Sequence, residues 1–308
     1  MMNWQETLTV FQRLRELQAK ERPAVLATVI AIKGSAYRRP GAKLLIEDDG
    51  TLLGNVSGGC LEQDVRERSL ALLECGKGEV VHYETSGDED ALWGMGLGCV
   101  GEVDILLQPT RTWSAVLIDE ALGLLQGSST LTITQSLPPE PSILAIQRAE
   151  EGQVTGLTEK AFTERLDPPP TLLVFGGGDD ALPMVQQAHG LGMRVCVVDH
   201  RPAYVGEGRF PPGVKQVERR PEAGLEGLPV GRDVYAVLKT HAFTIDQKWL
   251  HQLLESEVAY IGLLGPGKRR DELLADVDRP DLSRVFGPAG RDLGGEGPPL
   301  VGASILAE

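Results

Sequence analysis

Apolar positions along this chain follow two rhythms, one in each half. Trp4, Leu8, Phe11, Leu14 and Leu17 recur at helical spacing, and Asn3 followed by Glu6 predicts a capping box that opens this first helix. After Pro23 the rhythm becomes that of strands, at 24–32, 43–46 and 51–53, the last two flanking the turn Asp48-Asp49-Gly50. A helix over 61–75 closes at Gly76, and strands near 79–84 and 102–108 complete a predicted mixed sheet. From 110 to 170 only 131–134 reads as a strand.

Beyond Thr171 short continuous apolar runs, at 172–175, 194–198, 234–238 and 259–263, alternate with helical stretches. This alternation predicts a parallel sheet. Gly176-Gly177-Gly178-Asp179-Asp180-Ala181 follows the first of these strands, and Asp199 ends the second, as a dinucleotide fingerprint requires. Gly176, Gly178 and Asp199 are therefore candidate nucleotide contacts. Ala181 replaces the last glycine, however, and Asp179 and Asp180 set negative charge beside the expected pyrophosphate. Asp167-Pro168-Pro169-Pro170 is stiff and extended, a spacer between domains. The predicted fold is α/β, with a mixed α/β domain over 1–166, a linker over 167–170 and a Rossmann-like domain over 171–308.

The chain has 308 residues, enough for two domains, and a formal charge of -14. That charge argues against a nucleic-acid or anionic-membrane surface, so an anionic ligand must meet local positive groups. Residues 1–20 lack a leader pattern, and no apolar run approaches the roughly 20 residues a bilayer requires. A cytoplasmic protein is expected. Cysteines at 60, 75, 99 and 196 form neither a disulfide framework nor a Cys-x-x-Cys site.

Two of those cysteines stand in unusual company. Ser57-Gly58-Gly59-Cys60-Leu61-Glu62 delivers a thiol through two glycines to the start of a helix, a setting that favours thiolate. Cys99 ends the run Gly94-Met95-Gly96-Leu97-Gly98-Cys99, whose glycines permit close backbone approach. Cys60 and Cys99 are candidate soft-metal ligands, with Ser57, Gly58, Gly59, Glu62 and Gly98 shaping their loops. Small buried cysteines beside tight turns, with Glu62 and Asp64 as ordinary helix-start acids, are the structural alternative.

These segments carry a resemblance. Residues 27–39, 56–62, 93–101, 174–181 and 260–270 resemble the xanthine dehydrogenase accessory protein family, XdhC/CoxI, in order and approximate spacing. A looser likeness extends to 287–294. The resemblance implies a chaperone that binds molybdenum cofactor, protects it, assists its sulfuration and inserts it into a molybdenum hydroxylase such as xanthine dehydrogenase. A cysteine desulfurase partner is implied by the resemblance alone.

The cofactor carries a phosphate, so basic groups are candidate contacts: Arg38 with Arg39, and Lys268 with Arg269 in the segment after the strand at 259–263. His241 and His200 follow strands and are weighed as ligand contacts, ahead of His82, His189 and His251. A homo-oligomer is expected on general grounds. Two rival readings remain: an NAD(P)-dependent oxidoreductase, and a thiol redox switch between Cys60 and Cys99.

Overall fold

The run of apolar residues that opens at Ala24 is buried on both faces, as the middle strand of a covered sheet must be. The computed structural model describes residues 2–85, 101–127, 129–141, 143–150, 152–278 and 281–308. Helix α1 (Met2–Ala19) leads into β1 (Ala24–Gly34), β2 (Lys43–Glu47) and β3 (Leu52–Gly54). Helix α2 (Glu62–Cys75), β4 (Glu79–Thr85) and β5 (Gly101–Pro109) follow. The strands pair in the order β3-β2-β1-β5-β4. Every neighbour is antiparallel, so this sheet is not the mixed one that the strand pattern predicts.

Successive side chains of β1 point to opposite faces. Ala24 and Leu26 pack with Trp4, Phe11, Leu14 and Leu17 of α1, whereas Val25, Ala27 and Val29 pack with Val65 of α2. The helical stripe is therefore core. The capping box, by contrast, does not form, because α1 already includes Asn3. Asn3 Nδ2 donates to the Pro40 carbonyl and to Glu164 Oε1, at 3.4 and 3.3 Å, while Glu6 pairs with Arg38. Both side chains that look like a local cap are drawn to distant partners.

Residues 110–170 hold a second sheet that their pattern scarcely announces. Helix α3 (Ala115–Leu125), capped by the Ser114 hydroxyl, precedes β6 (Leu131–Ser136), β7 (Leu144–Arg148), β8 (Gly156–Leu157) and β9 (Ala161–Leu166). These strands pair antiparallel in the order β7-β6-β9-β8. The inward residues of β9 are Phe162, Glu164 and Leu166, and the buried glutamate breaks the hydrophobic alternation. Lys43 Nζ of β2 neutralises it in an ion pair buried on both sides.

The chain divides into units Met1–Pro168 and Pro169–Glu308, inside the proline triplet. In the second unit β10 (Thr171–Phe175), β11 (Arg194–Asp199) and β12 (Lys215–Glu218) lie to one side, with α4 (Leu182–Gly190) after β10. Strands β13 (Val234–Leu238), β14 (Tyr260–Leu263) and β15 (Val285–Phe286) lie to the other, with α5 (Phe243–Leu254), α6 (Gly267–Leu274) and a final α7 (Pro298–Ala307). All six strands are parallel, in the order β12-β11-β10-β13-β14-β15. This is the doubly wound arrangement of a Rossmann fold. Met184 of α4 and Ile305 of α7 pack on one face, and Trp249 of α5 and Leu273 of α6 on the other. No helix among the described residues is long and apolar enough to cross a membrane.

Candidate functional site

In the first unit Gly34 pairs with Gly101, Gly101 with Thr85, and Leu44 with Gly54. Loops 35–42 and 55–61 thus leave the same end of the sheet. Glu62, the first residue of α2, turns back to tie the second of these loops. Its Oε1 accepts the N–H groups of Val56 and Ser57, at 3.1 and 2.8 Å, and Oε2 accepts the Ser57 hydroxyl. Ser57 Oγ in turn accepts N–H bonds from Gly59 and Leu61, both at 3.1 Å. Burial pushes the Glu62 carboxyl up, but the bonds from Ser57 and Val56 outweigh it and hold the group below the usual carboxylate range.

The consequence is a loop of fixed shape around a half-buried thiol. Gly59 sits at φ 113°, a backbone that favours glycine, and a Cβ there would meet nothing within 4 Å. Cys60 follows, and Leu61 is the N-cap, so the thiol lies just outside the first turn of α2. A Cβ on Gly58 would stand 3.8 Å from the ring of Tyr37, which is itself 73% exposed. An exposed aromatic ring therefore flanks the cysteine loop, and nothing in the spacing of the sequence marks Tyr37. Asp64 has a different task, accepting from the Tyr83 hydroxyl at 2.6 Å and from Arg68 Nε at 2.8 Å.

Gly98 and Cys99 lie outside the described residues. Cys196 is buried in the second unit, its thiol pushed up to about 11 by desolvation, which suits a packing role. Among the described residues no three His, Cys, Asp or Glu side chains gather as a metal-holding group. Arg38 is engaged by Glu6 and only 11% exposed, so it holds loop 35–42 to α1. Arg39 is exposed.

In the second unit the glycine turn behaves differently from the fingerprint it resembles. Gly176 lies at φ 114°, and a Cβ there would meet the Lys239 carbonyl at 2.5 Å. Gly177 N–H donates to Asp199 Oδ2 at 2.8 Å. Arg201 engages both oxygens of Asp199, through its N–H and Nε on Oδ1 and Nη2 on Oδ2. Burial raises the Asp199 carboxyl, but these bonds hold it below its ordinary range. The carboxylate expected at a ribose hydroxyl is thus 2% exposed and committed to Arg201 and the turn. Gly178 precedes Asp179, which pairs with Arg209 at 2.7 Å, and Arg209 also donates to the Gly177 carbonyl.

Asp180 lies between β10 and β13. Lys239 Nζ and His241 Nε2 both stand 2.8 Å from its Oδ2. Lys239, in the run Lys239-Thr240-His241 after a buried strand, is among the basic groups that the sequence offers for phosphate, whereas Arg209 is not distinguished by the sequence pattern. Arg269 is held by Asp246 at 2.7 Å, and the same carboxylate receives the N–H and hydroxyl of Thr240. It braces the turn after β13, and its guanidinium lies 5.7 Å from the Phe243 ring centre. Lys268 is 87% exposed with Glu272 at 3.9 Å. His200 Nδ1 is 3.4 Å from Asp199, His82 pairs with Asp104 at 2.6 Å, and His251 with Asp276 at 3.3 Å.

Residues 17–84 match the XdhC and CoxI family, and residues 172–308 match the XdhC Rossmann domain. A probable xanthine dehydrogenase subunit of Bacillus subtilis is 31% identical, across 96% of this chain and 94% of its own. The molybdenum cofactor insertion chaperone PaoD of Escherichia coli is 29% identical over 34% of this chain and 32% of its own. The crystal structure of a xanthine dehydrogenase from Bacillus halodurans superimposes with a TM-score of 0.83 at 30% identity, covering 96% of this chain and 93% of that one. With a fixed thiol loop in one unit and a doubly wound sheet in the other, the chain belongs to the XdhC/CoxI family.

Proposed function

We propose that this protein carries molybdenum cofactor as cargo and inserts it into a xanthine dehydrogenase-type hydroxylase, protecting it and supporting its sulfuration on the way. The observation that carries this reading is the Cys60 loop, fixed by Glu62 and Ser57 and flanked by the exposed ring of Tyr37. The donor chemistry fits. A thiolate suits a soft metal or its labile sulfur, and an exposed aromatic face suits a flat pterin. A loop held by hydrogen bonds within the protein presents its thiol without waiting on the ligand, so binding orders little that was not already ordered. A chaperone must also release its cargo, and one thiol is a grip that a recipient with more ligands can outcompete.

The oxidoreductase reading draws less support. A nicotinamide dinucleotide requires the glycine-turn N–H groups and the acid that ends the second strand, whereas Gly177 and Asp199 are bonded to one another. Anaerobic titration with isolated molybdenum cofactor, then transfer to a cofactor-free hydroxylase, tests the proposal. Wild-type protein is expected to bind and deliver, with both lost in Cys60→Ser. Equal delivery by the two proteins would remove Cys60 from the scheme, and no binding by either would refute it.

A further inference from the structure

In a sheet of this strand order the crevice for a ligand opens between the first and fourth strands, at their carboxyl ends. Here Asp180 after β10 and Lys239 and His241 after β13 occupy that position. Two features of the cluster are incomplete without a further acceptor, and a third is strained. Lys239 is 3% exposed, and its ammonium, which carries three N–H donors, meets one acceptor among the described residues, Asp180 Oδ2 at 2.8 Å, which it shares with His241. The N–H groups of Gly178, Asp179 and Asp180, at the turn into α4, donate to no acceptor among the described residues. His241, finally, holds its ring at Asp180 from a left-handed backbone, φ 61°, which costs a non-glycine residue about 1–2 kcal/mol.

We propose that this cluster is a binding site for a phosphate ester, in which the Asp180 carboxylate stands in for the phosphate until one arrives. Phosphoryl oxygens would accept from the free N–H groups and from Lys239 and His241. Asp180, 31% exposed, would turn outward as the dianion takes its cations. Arg209 borders the site through Asp179 and the Gly177 carbonyl. Burial pushes the Lys239 ammonium below the ordinary lysine range against the pull of Asp180, and a doubly charged acceptor would relieve that desolvation. Since Asp199 and Gly177 are engaged with each other, the site fits a terminal phosphate better than a diphosphate joined to ribose. The site stands on this geometry, independent of the cofactor reading, whose thiol lies in the first unit.

Calorimetric titration with inorganic phosphate tests the site apart from that reading, since the probe contains neither pterin nor molybdenum. Wild-type protein is expected to bind saturably, and Lys239→Met to bind about tenfold to a hundredfold more weakly, the worth of one charge-assisted hydrogen bond. Asp180→Asn keeps the shape and removes the competing charge, so it is expected to bind more tightly than wild type. Absence of saturable binding, equal binding by Lys239→Met, or weaker binding by Asp180→Asn would each overturn the proposal. NAD serves as a second probe. Affinity no greater than for phosphate supports a terminal-phosphate site, and much tighter NAD binding would overturn that assignment.

Discussion

Single side chains decide the shape of both candidate sites. Glu62 is the clearest case, because one carboxylate holds two backbone N–H groups and a hydroxyl of the loop that carries Cys60. Replacing it by alanine leaves those donors without an acceptor. Glu62→Ala is expected to lose about 1–3 kcal/mol of stability at neutral pH, and Cys60 to react unevenly with alkylating reagents as its loop loosens. The sign with pH follows from the depressed carboxyl: its stabilisation is present above the ordinary glutamate range and is lost as pH falls through the lower folded value. The gap between wild type and Glu62→Ala should therefore narrow in acid, which denaturant melts at stepped pH would read. Gly176 is decisive in the other unit. At φ 114°, with the Lys239 carbonyl 2.5 Å from any added Cβ, Gly176→Ala should cost at least about 1–3 kcal/mol from backbone strain alone.

Elements show where the sequence is legible and where it is not. Strands β10, β11, β13 and β14 are short apolar runs with polar residues only at their ends, and β1 is a longer one broken only by Thr28 before Lys33, so their positions follow from hydrophobicity. Strand β9 is hidden by Glu164, whose partner Lys43 lies 121 residues away, a distance over which local patterns carry no information. The capping box misleads for the same reason, since Asn3 and Glu6 answer to Pro40, Glu164 and Arg38. At the sites, the glycine-delivered Cys60 and the acid that ends β11 can be read directly. That Asp199 would bond Gly177, and that Lys239 would bury its ammonium beside Asp180, depends on how strands adjoin. The Lys43–Glu164 pair also makes a prediction. Lys43→Met leaves a buried carboxylate unpaired and should destabilise by about 3–5 kcal/mol. Desolvation already raises Glu164 above its ordinary value, and losing Lys43 raises it further. A raised carboxyl favours the fold at low pH and loses that contribution as pH rises through the folded value, so the deficit of Lys43→Met should shrink as pH is lowered.

At the scale of the molecule the question is whether the two units fold as one cooperative body. Each hydrophobic cluster is complete within a unit: α1, α2, α3 and the antiparallel strands supply those of Met1–Pro168, and the parallel sheet with α4, α5, α6 and α7 supplies those of Pro169–Glu308. The second unit buries both faces of its sheet beneath its own helices, so nothing in its core waits on the first. A fragment beginning at Pro169 is therefore expected to fold alone and to melt cooperatively. Calorimetry of the whole chain should resolve two transitions, with Lys43→Met lowering only the one absent from the fragment and Gly176→Ala only the one it shares. If either substitution moves both transitions together, the units unfold as one. Phosphate distinguishes them again, because a ligand that binds only the folded second unit raises the transition of that unit by mass action. The chain as a whole carries -14, so a rise confined to that transition would place the attraction in a local cluster of donors against an unfavourable overall charge. A fragment that fails to fold, or that folds without binding phosphate while the whole chain binds it, would show that the first unit is needed to complete the second.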